Sequence, residues 1–192
     1  MSDYHHYKHE LIDETTDRVA VYERHVADLM FASKPKDSDR ETSLLFELKH
    51  QHGTIQFARL LARQRGLNED VCALAALLHD IHAGLNGTYQ DHAKKSANIA
   101  NDLMDRLGLF TSEEKALVIK IIENHSDKHI WTDDPYQEIG KDADILDCFL
   151  YPTSTEHYVR NKAPEVAKQY FKRAQKVFDE LKIPNNFGCI GE

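Results

Sequence analysis

Apolar positions recur along this chain at intervals of three and four residues, and no stretch alternates at period two over a useful length. The pattern predicts an all-α protein of about six to eight helices. A first helix is expected over about Tyr4–Phe31, broken by Ser33-Lys-Pro-Lys-Asp-Ser-Asp39. A second is expected over Arg40–Gln64, stopped near Gly66. Asn68, followed by Glu69 and Asp70, caps a third that ends near His79. His82–Thr88 reads as a loop, and Asp91 as the cap of a fourth helix ending near Gly108. Thr111-Ser-Glu-Glu114 is a capping-box pattern that opens a fifth helix ending near His125. Pro135 starts a sixth, which stops before Pro152. The last runs over about Pro164–Lys182, before an irregular tail from Pro184.

The same periodicity places histidines at the ends of apolar stripes. On the second helix, His50, Thr54, Phe57, Ala58 and Leu61 share a face. His92, Ser96, Ile99, Ala100, Leu103 and Leu107 do so on the fourth, and Val118, Ile121, Ile122 and His125 on the fifth. The third helix is apolar nearly all round, as a buried central helix should be, and it ends in His79-Asp80. The sixth carries the acids Asp142, Asp144 and Asp147. Imidazole and carboxylate converging from several helices suit a divalent transition ion. A lone histidine on such a face is usually a hydrogen-bonded core residue, and three acids in six residues are usually a solvated face. With 12 histidines in the chain, one His-Asp pair is expected about once by chance, so its context carries the weight. His52 competes with His50. His5, His6 and His9 form at most a weak second site, with no carboxylate or cysteine to complete it.

Composition narrows the classes. A chain of 192 residues, 41% hydrophobic and 29% charged, fits one globular domain. No apolar run approaches a membrane span, and no signal segment opens the chain, so a cytoplasmic protein without membrane contact is expected. Cys72, Cys148 and Cys189 are widely spaced and odd in number, which suits reduced thiols. The net charge of −8 argues against a nucleic-acid partner. It leaves room for a small phosphorylated substrate, because bound metal and a few local cations can invert the field in a pocket.

The order His50 … His79-Asp80 … His92 … His125 … Asp144, with the segments Asp91-His-Ala-Lys-Lys-Ser96, Glu123-Asn-His-Ser-Asp-Lys128 and Lys141-Asp-Ala-Asp144, resembles the HD-domain superfamily of metal-dependent phosphohydrolases. The resemblance spans about His50–Tyr151. It implies a single HD-type helical domain over 36–152, an N-terminal helix (1–35) packed on it, and a C-terminal helix and tail (153–192) belonging to the same domain. It favours His50 over His52, because that register aligns Ala58, Ala62 and Gly66. It favours Asp144, within Ala143-Asp-Ile-Leu146, over Asp142. It implies metal held by His50, His79, Asp80 and Asp144, with His92 and His125 added where two ions bind. The chain departs from the family pattern at Thr54, where Val is common, and at His82, which could face the pocket mouth.

The resemblance implies a phosphohydrolase that cleaves a phosphate ester or anhydride of a nucleotide-like molecule by attack of metal-activated water, with His79 and Asp80 at its centre. One or two ions of Fe, Mn, Co, Ni or Zn are expected, with Mg a further candidate. Lys128 is the first candidate for binding substrate phosphate, followed by Lys95, Lys141 and Lys94. Arg18 and Arg24 could reach the site from the first helix, whose Val19, Val26, Leu29 and Met30 could pack on the core or in a homodimer. A non-catalytic metal- or nucleotide-binding regulatory module would present the same ligands. An iron oxygenase or lyase is a weaker alternative.

Overall fold

In the computed structural model the described residues are 17–151 and 153–184. Every regular element among them is helical. The N-terminal histidines, Cys189 and most of the expected tail lie outside these residues, as does the first helix before Asp17.

Asp17 starts helix α1 (Arg18–Phe31), its carboxylate accepting the Val19 and Ala20 amides. Val19, Tyr22, Val26 and Met30 are buried, so this helix packs on the protein's own core. After a 3-10 turn at Asp37–Asp39 comes α2 (Leu44–Arg65). It begins later than the Arg40 expected, because the Ser43 hydroxyl takes the Phe46 amide and sets the cap there. Gly66, at φ 66°, closes it in the left-handed conformation that glycine adopts at least cost.

Helix α3 (Glu69–Leu78) is the centre of the molecule. Its residues from Val71 to Leu78 are all buried, and it packs against α1, α2 and the later helices α6 (Ser112–Asn124) and α7 (Pro135–Phe149). The segment expected as a loop after His79-Asp80 instead forms a short helix, α4 (Ile81–Asn86). Ile81, Ala83 and Gly84 of this helix are buried, and burial outweighs the weak local propensity of a Gly- and Asn-containing stretch.

Helix α5 (His92–Leu107) has the expected span, but Asp91 does not cap it as expected. Asp91 sits at φ 53° and makes no capping hydrogen bond. The Thr111–Glu114 capping box on α6 forms reciprocally. Pro135 takes the first turn of α7 behind an Asp134 cap. A further short helix, α8 (Ser154–Asn161), fills a stretch for which no element was expected, and α9 (Pro164–Glu180) packs along α7. No helix among the described residues is long and apolar enough to cross a membrane.

Candidate metal centre and substrate cavity

Four helices deliver four histidines to one point beside α3. Three of these histidines share a local device. His79 and His125 stand just past the C-terminal ends of α3 and α6, where the last carbonyls lack helical partners. His79 Nδ1 lies 2.7 Å from the Ala76 carbonyl, and His125 Nδ1 lies 2.7 Å from that of Ile122. His92, at the start of α5, reaches the Tyr89 carbonyl at 2.8 Å in the same three-residue relation. A carbonyl only accepts, so each Nδ1 carries a proton, and in the neutral imidazole each Nε2 presents a lone pair inward. His50, from the middle of α2, is fixed differently: its Nδ1 donates to Asp147 Oδ2 at 2.6 Å.

The four Nε2 atoms form two pairs. His50 and His79 face each other at 3.2 Å, and so do His92 and His125. Asp80 lies between the pairs. Its Oδ2 is 3.3 Å from His79 Nε2 and 3.8 Å from His50 Nε2. Its Oδ1 is 3.2 Å from His125 Nε2 and 3.5 Å from His92 Nε2. The backbone makes this placement possible. Asp80 leaves the helix at φ −113°, ψ 18°, so its side chain departs from the helical direction and reaches both pairs. Asp144 approaches the first pair, with Oδ1 3.6 Å from His50 Nε2.

Lone pairs facing each other at such distances repel unless a cation lies between them. Asp80 Oδ1 is buried and accepts no directed hydrogen bond. Buried carboxylate and neutral imidazole, oriented by partners on their outer atoms, are the donor set of a divalent transition ion. These residues therefore fit a metal, and two groups, His50/His79/Asp80 and Asp80/His92/His125, each bring ligand atoms within reach of one ion. The electrostatics agree. Burial pulls the His79 imidazole down, but Asp80 and Asp144 outweigh it and hold it at about 9. Burial likewise works against the Asp80 carboxylate, yet His79 and His125 keep it well below the usual carboxylate range. The centre attracts positive charge, and a metal would compete there with a proton.

His52 is exposed, whereas His50 is buried. Asp142, the fallback ligand, points elsewhere: it is bound by Arg65 and Arg173 at 2.8 and 2.7 Å. Three cations expected near the site are committed away from it. Arg18 forks onto Glu114 and reaches Asp70 at 2.7 Å, joining α1 to α6 and α3. Lys141 is buried against the Ile130 carbonyl and Glu138. Lys95 bonds the Gln90 carbonyl. None of these three, nor Arg24, Lys94 or His82, lines the cavity beside the centre. Lys128 does line it, and its Nζ sits 2.5 Å from Asp144 Oδ2. Burial lowers the Lys128 ammonium, but Asp144 more than compensates and raises it.

The cavity has a volume of about 660 Å³, and Asp80, His50, His92, His125 and Asp144 form its floor. Several groups in or beside the cavity have roles that the sequence does not assign. Glu47 is buried one turn before His50, bonded to Tyr89 Oη at 2.8 Å and to the Thr42 hydroxyl. Extending the His50 stripe by three residues would have found it. Cys148 donates to Asp144 Oδ1 at 3.4 Å from the i+4 position. Asp147 depends on Gly53, since a Cβ there would come within 1.9 Å of Asp147 Oδ1. Thr153, Ser154, His157, Tyr158, Asn161 and Lys162 form a wall from the α8 region.

No curated protein matches the chain. A solved structure, described as a predicted HD superfamily hydrolase from an uncultured Thermotogales bacterium, is 22% identical. The match covers 83% of this chain and 88% of that one at a TM-score of 0.53, so the two share a fold. The HD domain family model matches residues 48–149, just over half of the chain and the whole stretch from before His50 to beyond Asp144. By that match and by its all-helical architecture, the chain belongs to the HD domain family.

Proposed function

We propose that this protein is a metal-dependent phosphohydrolase acting on a phosphate ester or anhydride of a small, nucleotide-like molecule. One observation carries the reading: four Nε2 lone pairs, each oriented by a bond at Nδ1, converge in two pairs on the two oxygens of Asp80. We assign His50, His79, Asp80 and Asp144 to one ion, and Asp80, His92 and His125 to a second. Bound divalent ions would supply Lewis acidity and an activated water for attack on phosphorus. The chain's own residues do the rest. Asp147 and the three backbone carbonyls hold the imidazoles in one tautomer, so no reorganisation is needed when ligand arrives. Asp80, by serving both pairs, fixes their separation. Lys128 offsets the charge of Asp144 at the cavity wall. The cavity volume is in the range that encloses a nucleotide-sized ligand, and half-buried Phe46 and Tyr151, 5.6 Å apart and tilted by 47°, offer aromatic surface on one side.

The test is metal content and turnover, measured together. Purified protein supplied with Mn, Fe, Co, Ni, Zn or Mg should carry about two ions per chain and release phosphate from at least one monoester, diester or anhydride. Saturating metal should also raise stability, by about 2.7 kcal/mol at a hundredfold excess over Kd, and a chelator should reverse the gain. His79→Ala/Asp80→Ala, folded by circular dichroism, should lose ions, turnover and the stability gain. Metal binding without turnover on any phosphate compound would leave a binding module. Retained turnover in the folded double variant would overturn the proposal.

A further inference from the structure

The HD match ends at Phe149, but the cavity does not. The α8 region and α9 supply its far wall, and the connection between them carries a lysine in a defined position. Lys162 caps α8 at φ −119°, ψ 149°, its amide bonded to the Tyr158 carbonyl at 3.0 Å. Ala163-Pro164 then starts α9, and proline at the first helical position restricts the backbone on that side too. The side chain leans over the ring of Tyr170, with Nζ 5.5 Å from its centroid. Lys128 Nζ lies 5.8 Å from the same centroid. Two ammonium groups therefore share one aromatic ring at the edge of one cavity.

They differ in their partners. Lys128 is neutralised by Asp144. Among the described residues lining the cavity, Lys162 is the lysine that has no carboxylate within ion-pair distance. The residue is exposed at the cavity rim, but partial desolvation of its ammonium and the neighbouring Lys128 disfavour its charge, and Asp144 only partly offsets them. An anion placed between Lys162 and the histidine floor would relieve that imbalance. Such an anion is distinct from a phosphate at the floor, because Lys128 there is already neutralised by Asp144, while Lys162, beside the same Tyr170 ring, has no such partner.

We infer that Lys162 binds a second phosphate of the substrate, so that the protein prefers compounds with at least two phosphate groups to simple monoesters. This rests on the phosphohydrolase reading above and deepens it. Nothing assigned to the HD match supplies this contact, since residue 162 lies beyond it.

The experiment compares two non-hydrolysable probes, methylenediphosphonate and methylphosphonate, titrated calorimetrically into protein held in constant excess Mn. The wild type should bind the diphosphonate more tightly. Lys162→Ala should weaken the diphosphonate by about ten- to hundredfold, the usual worth of a hydrogen bond to a charged group, and change the monophosphonate by less than about twofold. Lys162→Arg should restore most of the loss. Lys168→Ala, an exposed lysine on α9 outside the cavity, should change neither. Equal weakening of both probes in Lys162→Ala, or of neither, overturns the inference while leaving the phosphohydrolase reading in place. A wild type that binds neither probe though loaded with metal removes both.

Discussion

Two faces of α7 bury charge in opposite ways. On one face, Glu138, Lys141 and Asp142 meet Arg65, Arg173 and Lys176, and each carboxylate is paired. Arg173, fully buried, bonds Glu138 and Asp142 at 2.7 Å each and the carbonyls of Lys128 and Ile130 besides. On the other face, Asp144 and Asp147 join Asp80 around four imidazoles, with Lys128 as the cation. The two clusters share a helix and a similar depth. What separates them is whether the protein completes its own electrostatics. The Arg173 cluster is finished and holds α9 to α7. The Asp80 cluster presents lone pairs and a carboxylate oxygen that no donor of the protein satisfies, and a buried group left that way is costly unless something else binds it. Acidity and burial alone would not tell structure from site here; the completeness of pairing does.

The largest effect should come from breaking the completed cluster. Arg173→Leu keeps the bulk but removes one partner each from Glu138, Asp142 and two carbonyls. Removing one member of a buried ion pair typically costs about 3–5 kcal/mol, and urea unfolding of the variant should show a loss of that size. The metal content of the fraction that remains folded should stay that of the wild type. A loss under about 1 kcal/mol would mean that apolar packing, not charge pairing, holds α9 in place.

On the site face the pattern should invert, with little lost in stability and much in affinity. Asp147→Asn keeps an acceptor for His50 Nδ1–H but removes the charge that strengthens it. Outer partners of this kind are worth about ten- to hundredfold in metal affinity. Gly53→Ala should act in the same direction without touching either residue chemically, because its methyl group would displace Asp147 from beneath His50. Competition with a chelator would measure both. If Gly53→Ala leaves metal affinity unchanged, the close approach of α2 and α7 is not what orients His50.

This division explains how much was legible in the chain. Helix positions followed from period and caps, because α3, α6 and α7 are long or strongly capped: Asn68, Thr111 and Asp134 each accept the amides their positions predict. The short helices α4 and α8 were not legible. Neither has a side-chain cap, and both are held by burial against other elements. The histidines and Asp80 stood out because each ends an apolar stripe, and the family resemblance supplied their order. Of the cations named from the sequence, Lys128 lines the cavity and the others do not. Lys141 and Lys95 are near motif residues in sequence, yet their long side chains turn to carbonyls of neighbouring loops, and Arg18, on the first helix, turns to Asp70 and Glu114. Lys162 lies far from every motif and reaches the cavity only because α8 folds back over it. Proximity along the chain predicts which backbone is near a site, and a four-carbon stem undoes that prediction within one residue.

The smallest expected effect tests the same comparison at its margin. Lys176 touches Asp142 Oδ2 at 3.0 Å, but its side chain is 43% exposed. Asp142 is already held by Arg65 and Arg173. Lys176→Ala should therefore cost no more than about 1 kcal/mol, the ordinary worth of a water-exposed ion pair. The double variant Arg173→Leu/Lys176→Ala sharpens the point. With Arg173 gone, Lys176 becomes one of only two cations left on Asp142, and its removal should cost more than it does in the wild type. A double-variant cycle that gives additive losses would show that the cluster is a set of separate pairs. A coupling of at least about 0.5 kcal/mol would show that its members compensate for one another, which the Asp80 cluster, lacking spare cations of its own, cannot do.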